Sequence, residues 1–177
     1  MTEQEIKSLD DDENTELVLS LHEVGGSGGL GKAVFSIPVD RDVAMQSNLI
    51  KGFLEQDPDQ MVIPLSMGEK GVASPEVLQE IVRWMQYHHK NPMKEIPRPM
   101  GTINVKLAKY VGDWDAEFIH RSVGDVSRIL KAAAYLDLQP LMNLSAARLA
   151  AIIKNEPTME GLKARFDNPE TPPEPLE

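Results

Sequence analysis

Two segments near the start of the chain alternate apolar and polar residues with the period of a strand. The loop Gly25 to Gly29 lies between them, and two alternating segments around a glycine-rich loop indicate a β-hairpin. Residues 61–65 predict a third short strand, in which Pro64 favours a sheet edge. The alternating apolar residues of the hairpin are Leu17, Leu19, Leu21, Phe35, Ile37 and Val39.

The later apolar residues recur with the period of a helix. Residues 40–55 predict one helix, capped by Asp40 or Asp42. Ser74-Pro75-Glu76 has the cap, the first-turn proline and the acid of a helix start. Its predicted apolar stripe is Val77, Leu78, Ile81, Val82 and Met85. Further helices are predicted from residue 114, over residues 126–136, from Pro140 onwards, and around residues 159–166.

This order of strands and helices predicts an α+β fold with a small sheet in the first half of the chain. We expect a folded domain over residues 16–138, followed by C-terminal helices over residues 139–167. The acidic residues 1–15 and the proline-rich residues 168–177 are expected to be disordered tails.

Composition narrows the classes of partner. Acidic residues outnumber basic residues by 28 to 18, which disfavours nucleic acid and anionic membranes as partners. The chain has no cysteine, so it has no disulfide, thiolate zinc site or thiol nucleophile. We expect an intracellular protein, since the start of the chain lacks the pattern of a signal peptide and no apolar run reaches the roughly 18 residues of a membrane span.

One stretch resembles a phosphate-binding loop. Residues 26–32 match the first seven positions of the P-loop pattern. That pattern continues with a hydroxyl residue and a helix, whereas here Ala33 and an alternating strand follow. We therefore expect a flexible hairpin loop, and a nucleotide hydrolase is the weakest hypothesis.

Two other groups are weak candidates for chemistry. His88 and His89 point about 100° apart on a helix, so they are poorly placed to share a metal ion, and we expect a solvated helix end. Asp115 and Glu117 lie near a helix start, where acids usually stabilise the helix dipole. The sequence therefore predicts no catalytic residue, no metal site and no cofactor.

The C-terminal helices carry more apolar residues than a small, distant sheet obviously covers. Such residues can close a core, or they can form a face for a partner's helix, and the pattern leaves both interpretations open. The residues are Leu141, Leu144, Leu149, Ile152, Ile153, Leu162 and Phe166.

Four segments, in order, resemble the S-phase-kinase-associated adaptor family of SCF ubiquitin ligases. Val43 to Lys51 resembles the family's A-M-Q-S-x-x-I-K segment, and Trp114 to Phe118 resembles W-D-x-E-F. Ala132 to Asp137 is similar to A-A-N-Y-L-D. Ile153 to Phe166 is similar to I-K-G-K-T-P-E-E-I-R-K-T-F, with one residue inserted. The resemblance spans about residues 16–167.

This resemblance implies a BTB/POZ fold with additional C-terminal helices. It also implies a non-catalytic adaptor, cytoplasmic and nuclear, that links an F-box protein to a cullin. Lys131, Ala134 and Tyr135 match the family's cullin-binding region, and the seven apolar residues of the last helices match its F-box-binding region.

The chain also departs from the family pattern. Ala134 replaces an asparagine, which predicts weaker cullin binding, and glycines expand the hairpin loop. A proline-rich segment stands where the family continues with two helices, which predicts weaker or narrower F-box binding. Two alternatives stay open: a divergent paralogue that binds an F-box-like partner in a kinetochore or cytoskeletal complex, and an elongin C-like adaptor.

Overall fold

The computed structural model describes residues 16–26, 28–97 and 107–173. Its strands are β1 (Glu16–Val24), β2 (Leu30–Asp40) and β3 (Val62–Ser66). They form one sheet in the order β2-β1-β3, with β1 antiparallel to β2 and parallel to β3. The expected hairpin is confirmed, and β3, which contains Pro64, lies at a sheet edge as predicted.

Helices surround this sheet and continue beyond it, so the predicted α+β fold with a POZ-type arrangement is confirmed. The helices of the described residues are α1 (Arg41–Ala44), α2 (Asn48–Gln56), α3 (Pro75–Lys90), α4 (Ala108–Val111), α5 (Asp113–Phe118), α6 (Val123–Tyr135), α7 (Gln139–Asn155) and α8 (Met159–Asp167).

One hydrophobic core joins the sheet to the helices. Leu17, Leu19 and Leu21 of β1 are fully buried, and the predicted apolar stripe of α3 is buried with them. The inner residues of α6 and the first residues of α7 belong to the same core. Because α6 packs on both α3 and α7, it connects the sheet domain to the C-terminal helices.

The single helix predicted over residues 40–55 is wrong, because the structure has α1 and α2 there. Ser47 separates them: its hydroxyl accepts a hydrogen bond from the Ile50 N–H at 3.2 Å and donates to the Leu136 carbonyl at 2.6 Å. Ser47 therefore caps α2 and ties it to the end of α6. Asp40 occupies the position before α1 but makes no side-chain cap.

The glycine-rich loop closes the hairpin tightly. The Gly25 N–H donates to the Gly29 carbonyl at 2.8 Å, and Gly28 has a positive φ of 80° that glycine adopts without strain. Lys32 follows within β2, so this lysine lies on a strand. The helix N-terminus that a P-loop requires after its lysine is therefore absent at this point.

Part of the segment 168–177, which the sequence predicts to be disordered, makes backbone hydrogen bonds in the structure. The Pro169 carbonyl accepts a hydrogen bond from the Gly124 N–H at 2.8 Å, and the Thr171 N–H donates to the Asn168 carbonyl at 3.0 Å. The segment after α8 therefore folds back onto the start of α6. Residues 174–177 and the acidic tail, residues 1–15, lie outside the described residues.

Candidate protein-binding faces

The first candidate surface, here called the α6 face, consists of Lys131, Ala134 and Tyr135. Lys131 and Ala134 are exposed, and Tyr135 is half-buried. The Lys131 Nζ lies 4.0 Å from Glu69 Oε1, and the Tyr135 hydroxyl accepts a hydrogen bond from the Ser66 N–H at 3.0 Å. The structure thus brings all three predicted residues to one accessible part of α6, beside the turn that follows β3.

Ala134 could pack inside the domain or face a partner, and its exposure decides between these two possibilities. An alanine packed inside the domain would have made the helix end structural, but Ala134 faces solvent. The end of α6 is held from the other side, where the Asn48 amide donates to Asp137 Oδ2 at 3.1 Å. The α6 face is therefore a fixed surface with a small side chain between a lysine and a tyrosine.

The second candidate surface lies on α7 and α8. Of its seven predicted residues, some are buried and others are partly or largely exposed. Leu141 and Leu144 are 0% exposed and belong to the core. In this conformation these two leucines therefore have no exposed surface to offer a partner. Leu149 is half-buried and also packs against the core.

The apolar residues nearer the end of the chain have free surface. Ile153 is 48% exposed and Phe166 is 46% exposed, while Ile152 and Leu162 are half-buried. Met159, which was not assigned to this site, is 75% exposed. Its spacing of three and seven residues from Leu162 and Phe166 is a helical stripe and could have identified it. We call Ile152, Ile153, Met159, Leu162 and Phe166 the α7–α8 face.

Polar contacts, and not buried side chains, connect α8 to the residues that precede it. None of its residues is buried. The Thr158 hydroxyl caps the helix by accepting from the Gly161 N–H at 3.0 Å. Arg165 Nε donates to Glu156 Oε2 at 2.8 Å, and a side chain at Gly161 would collide with that carboxylate. The Glu156–Arg165 pair therefore ties the last turn of α8 to the residue after α7, across Gly161 in the first turn.

The expected solvated position of His88 is wrong, whereas Asp115 lies in the first turn of α5 as expected. His88 is buried: its Nε2 lies 2.9 Å from Asp115 Oδ1, and its Nδ1 donates to the Asn91 carbonyl at 2.6 Å. Beside this pair, the Trp114 ring stacks on Tyr87 at 3.8 Å. The Trp114-Asp115 segment therefore attaches α5 to the end of α3. The sequence could not show this, because 27 residues separate the two partners.

A cleft of about 950 Å³ lies beside this pair, between the C-terminal end of α3 and the N-terminal end of α7. Trp84, His88 and Asn143 contribute to its lining. Both ring nitrogens of His88 are already hydrogen-bonded, so this histidine offers the cleft no free base or metal ligand. Among the described residues, no group of three or more histidines and acids could hold a metal ion, and no described helix is both long and apolar enough to cross a membrane.

Comparison with known proteins adds to this geometry. A sequence profile of the Skp1 family, tetramerisation domain, matches residues 35–90. The S-phase kinase-associated protein 1 homolog of Tetrahymena thermophila is 33% identical over 134 residues, which cover 75% of this chain and 76% of that protein. The chain belongs to the Skp1 family. This membership confirms the resemblance that the four motifs indicated.

Two other Skp1-family relatives carry informative names. The E3 ubiquitin ligase complex SCF subunit sconC of Aspergillus flavus is 31% identical over 145 residues, covering 78% of this chain and 82% of that protein. The suppressor of kinetochore protein 1 of Schizosaccharomyces pombe is 28% identical over 131 residues, covering 74% and 78%. The family profile ends with α3, so both candidate faces lie beyond the residues that it matches.

Proposed function

We propose that this Skp1-family chain is a non-catalytic adaptor that links an F-box protein to a cullin in an SCF-type E3 ubiquitin ligase of the cytoplasm and nucleus. The observation that carries the proposal is the exposed apolar residues of the α7–α8 face beside an already complete core. Ile153 and Phe166 are each about half exposed, and large exposed apolar groups are typical of binding surfaces. A relative named as an SCF subunit supports the type of assembly.

The α7–α8 face would bind the F-box through apolar burial. Removing apolar surface from water stabilises a complex by roughly 25 cal/mol per Å² before the costs of association. Helical side chains at such a face typically insert between those of a partner helix. Leu141 and Leu144 would support the face from beneath by fixing α7 on α6 and would not contact the partner.

The α6 face would bind the cullin. Lys131 offers a charge at the surface, and the Tyr135 hydroxyl, which accepts from Ser66, retains its own proton to donate. Because α6 packs directly on α7, the two faces are attached to one core. A partner held on each face would then keep a fixed position relative to the other, which is the whole mechanism of an adaptor.

Titration calorimetry with an F-box protein and a cullin N-terminal domain tests each face separately. Ile153→Asp should weaken F-box binding at least tenfold and leave cullin binding unchanged. Met61→Asp is a matched control, because Met61 is 45% exposed but lies before β3, away from both faces. Equal binding by the wild type and Ile153→Asp would remove the α7–α8 face from the proposal.

Ala134→Asn tests the α6 face. An asparagine offers two donors and an acceptor where alanine offers none, and satisfying a buried partner group contributes roughly 1–3 kcal/mol. Tighter cullin binding with unchanged F-box binding is expected. If the folded Ala134→Asn variant binds cullin no better than the wild type, the cullin assignment of this face is wrong.

The alternative is an F-box-like partner in a structural complex, which the name of the fission yeast relative favours. Purification of the tagged chain from its own cells separates the two functions. An F-box protein together with a cullin supports the ligase adaptor, whereas an F-box-like partner without any cullin supports the structural complex. Membership of the Skp1 family favours both over an elongin C-like adaptor.

A further inference from the structure

The chain after α8 turns back and contacts the first turn of α6. Gly124 is the second residue of α6, where a backbone N–H has no partner within the helix. The Pro169 carbonyl accepts from this N–H at 2.8 Å. We call residues 168–171 the α6 strap.

A second contact lies one turn further along α6. The Glu170 carboxylate accepts two hydrogen bonds from Arg128, at 2.8 Å and 2.9 Å. Arg128 also donates to Asp125 at 2.7 Å, and the Ser122 hydroxyl donates to Asp125 at 2.9 Å. A two-bond contact between a guanidinium and a carboxylate fixes orientation as well as distance. The strap is therefore held in register by one backbone and one side-chain contact.

The absence of a side chain at Gly124 makes this approach possible. A Cβ there would lie 2.6 Å from Glu170 Oε1 and 3.1 Å from the Pro169 carbonyl oxygen. The first of these contacts is shorter than atoms tolerate, so a side chain at Gly124 would displace the Glu170 carboxylate from its place beside Arg128, and the second would require the Pro169 carbonyl to shift by a few tenths of an ångström. Gly124, Arg128 and Glu170 thus form a matched set, although more than forty residues separate the first from the last.

The charges of this set favour its closed form. Hydrogen bonds from Arg128 hold the pKa of Glu170 below its ordinary value. Burial opposes ionisation of Asp125, but hydrogen bonds from Arg128 and Ser122 outweigh it, so the pKa of Asp125 is also lowered. Hydrogen bonds to Glu170 and Asp125 raise the pKa of Arg128. All three groups are therefore charged and paired at neutral pH.

We propose that the α6 strap positions α8, and with it Phe166 and Met159, for partner binding. The α8 helix has no buried side chain, so apolar packing does not fix its direction. The Thr158 cap holds its start, the Glu156–Arg165 pair ties its last turn to the residue after α7, and the strap holds the chain beyond its end on α6. A helix held at both ends presents its apolar residues in a fixed arrangement, which lowers the ordering cost of binding. Gly124, Arg128 and Glu170 are then positioning residues of the α7–α8 face, and this role in binding rests on the proposed function.

Charge reversal across the strap tests the inference. Arg128→Glu should open the strap by repulsion from Glu170, whereas Arg128→Glu combined with Glu170→Arg should restore the pair in reverse. Lys51→Glu is the matched control, because it changes the net charge equally on α2, away from the strap. Amide hydrogen exchange and ¹⁵N relaxation report the order of α8 in the free protein, and calorimetry reports its affinity for an F-box protein.

We expect faster exchange and greater motion of α8 in Arg128→Glu, an affinity lower by about twofold to tenfold, and recovery of both in the double variant. Unchanged order of α8 in Arg128→Glu would overturn the positioning role. Disordered α8 with unchanged affinity would overturn its part in binding, while a loss of binding in Ile153→Asp would still support the proposed function. If the wild type binds no F-box protein, the proposed function and the binding role both fail, and the measurements on free α8 alone decide whether the strap positions the helix.

Discussion

The sheet domain and α8 are stabilised by different forces. In the sheet domain, Leu19 of β1 and Ile81 of α3 are fully buried and belong to one core. In α8 no residue is buried, and a cap, the Glu156–Arg165 pair and the α6 strap hold the helix in place. The residues that stabilise the sheet domain are buried and cannot reach a partner, whereas α8 is held by polar contacts and can offer its apolar side chains to one.

The α7 helix contains both buried and exposed apolar residues. Leu141 and Leu144, near its start, are 0% exposed, and Ile153, near its end, is half exposed. At about 100° per residue, Leu141 and Ile153 lie about 120° apart around the helix, so one side of α7 belongs to the core and another side contributes to the α7–α8 face. The buried and the exposed residues of α7 allow core packing and partner binding to be compared within one helix.

The largest effect is expected for Leu141→Ala. Removing a fully buried leucine side chain costs about 2–5 kcal/mol of the free energy of unfolding. Ile153→Ala on the same helix should cost less than about 1 kcal/mol, because much of its side chain already contacts water. Urea unfolding of both variants measures the difference. Similar losses in the two variants would mean that the end of α7 is packed as tightly as its start.

Phe166→Ala should separate binding from folding. As a central apolar anchor, Phe166 should contribute about 2 kcal/mol or more to F-box affinity, a loss of roughly thirtyfold on truncation. The free energy of unfolding should change by only about 0.5 kcal/mol, the usual range for an exposed site. Calorimetry and urea unfolding on the same preparation test this. A large loss of stability, or unchanged binding by the folded variant, would contradict the assignment.

Acid should loosen α8 before it unfolds the sheet domain. The pKa values of Glu170 and Asp125 are lowered in the folded chain, so the released state binds more protons. Their contribution is therefore complete above the ordinary carboxyl values and is lost as the pH falls through the lowered ones, below about pH 4. The ¹⁵N relaxation of α8 should report this loss, and Glu170→Gln should already show part of it at neutral pH. Simultaneous loss of α8 and sheet signals would contradict the comparison.

The smallest effect is expected at the tip of the hairpin. Replacing Gly25 to Gly29 with a two-residue Asn-Gly turn shortens a loop that contacts neither face. Halving a loop's length changes its closure entropy by only about 0.6 kcal/mol, so stability should rise slightly and partner binding should stay the same. His22 Nδ1 lies 3.0 Å from the Gly31 carbonyl oxygen and should be kept. Weaker F-box or cullin binding in this variant would show that the loop is functional.

Much of the fold could be predicted because local pattern and local chemistry agree. Leu17, Leu19 and Leu21 alternate and are buried as predicted; Ser74 precedes α3 and Pro75 lies in its first turn, as predicted. The stripe of α3 repeats with helical period and is buried throughout. The motifs around Ser47, Trp114 and Tyr135 also indicated the Skp1 family, which the relatives confirm. In each case the signal lies within a few residues of the feature that it predicts.

Sequence reasoning could predict only part of the candidate site. Period shows that Leu141 and Phe166 each lie on an apolar side of a helix, but not that the core buries one and leaves the other half exposed. The same limit applied to His88, whose burial depends on Asp115, and to Ser47, whose break of the predicted helix depends on the Leu136 carbonyl. The partner groups that decided these outcomes lie 27 to 89 residues away in the chain.

By itself, the sequence determined most of the strands and helices, the buried sides of β1 and α3, and the family, because strand period, helix caps and short motifs are local. Only the tertiary structure decided which apolar residues remain for a partner, and that Pro169 and Glu170 return to Gly124 and Arg128. Proline-rich composition predicts that a segment cannot form a helix, and that holds here. It does not predict that a distant helix start with a free N–H and a nearby guanidinium will bind the segment, because that depends on where the fold brings the two together.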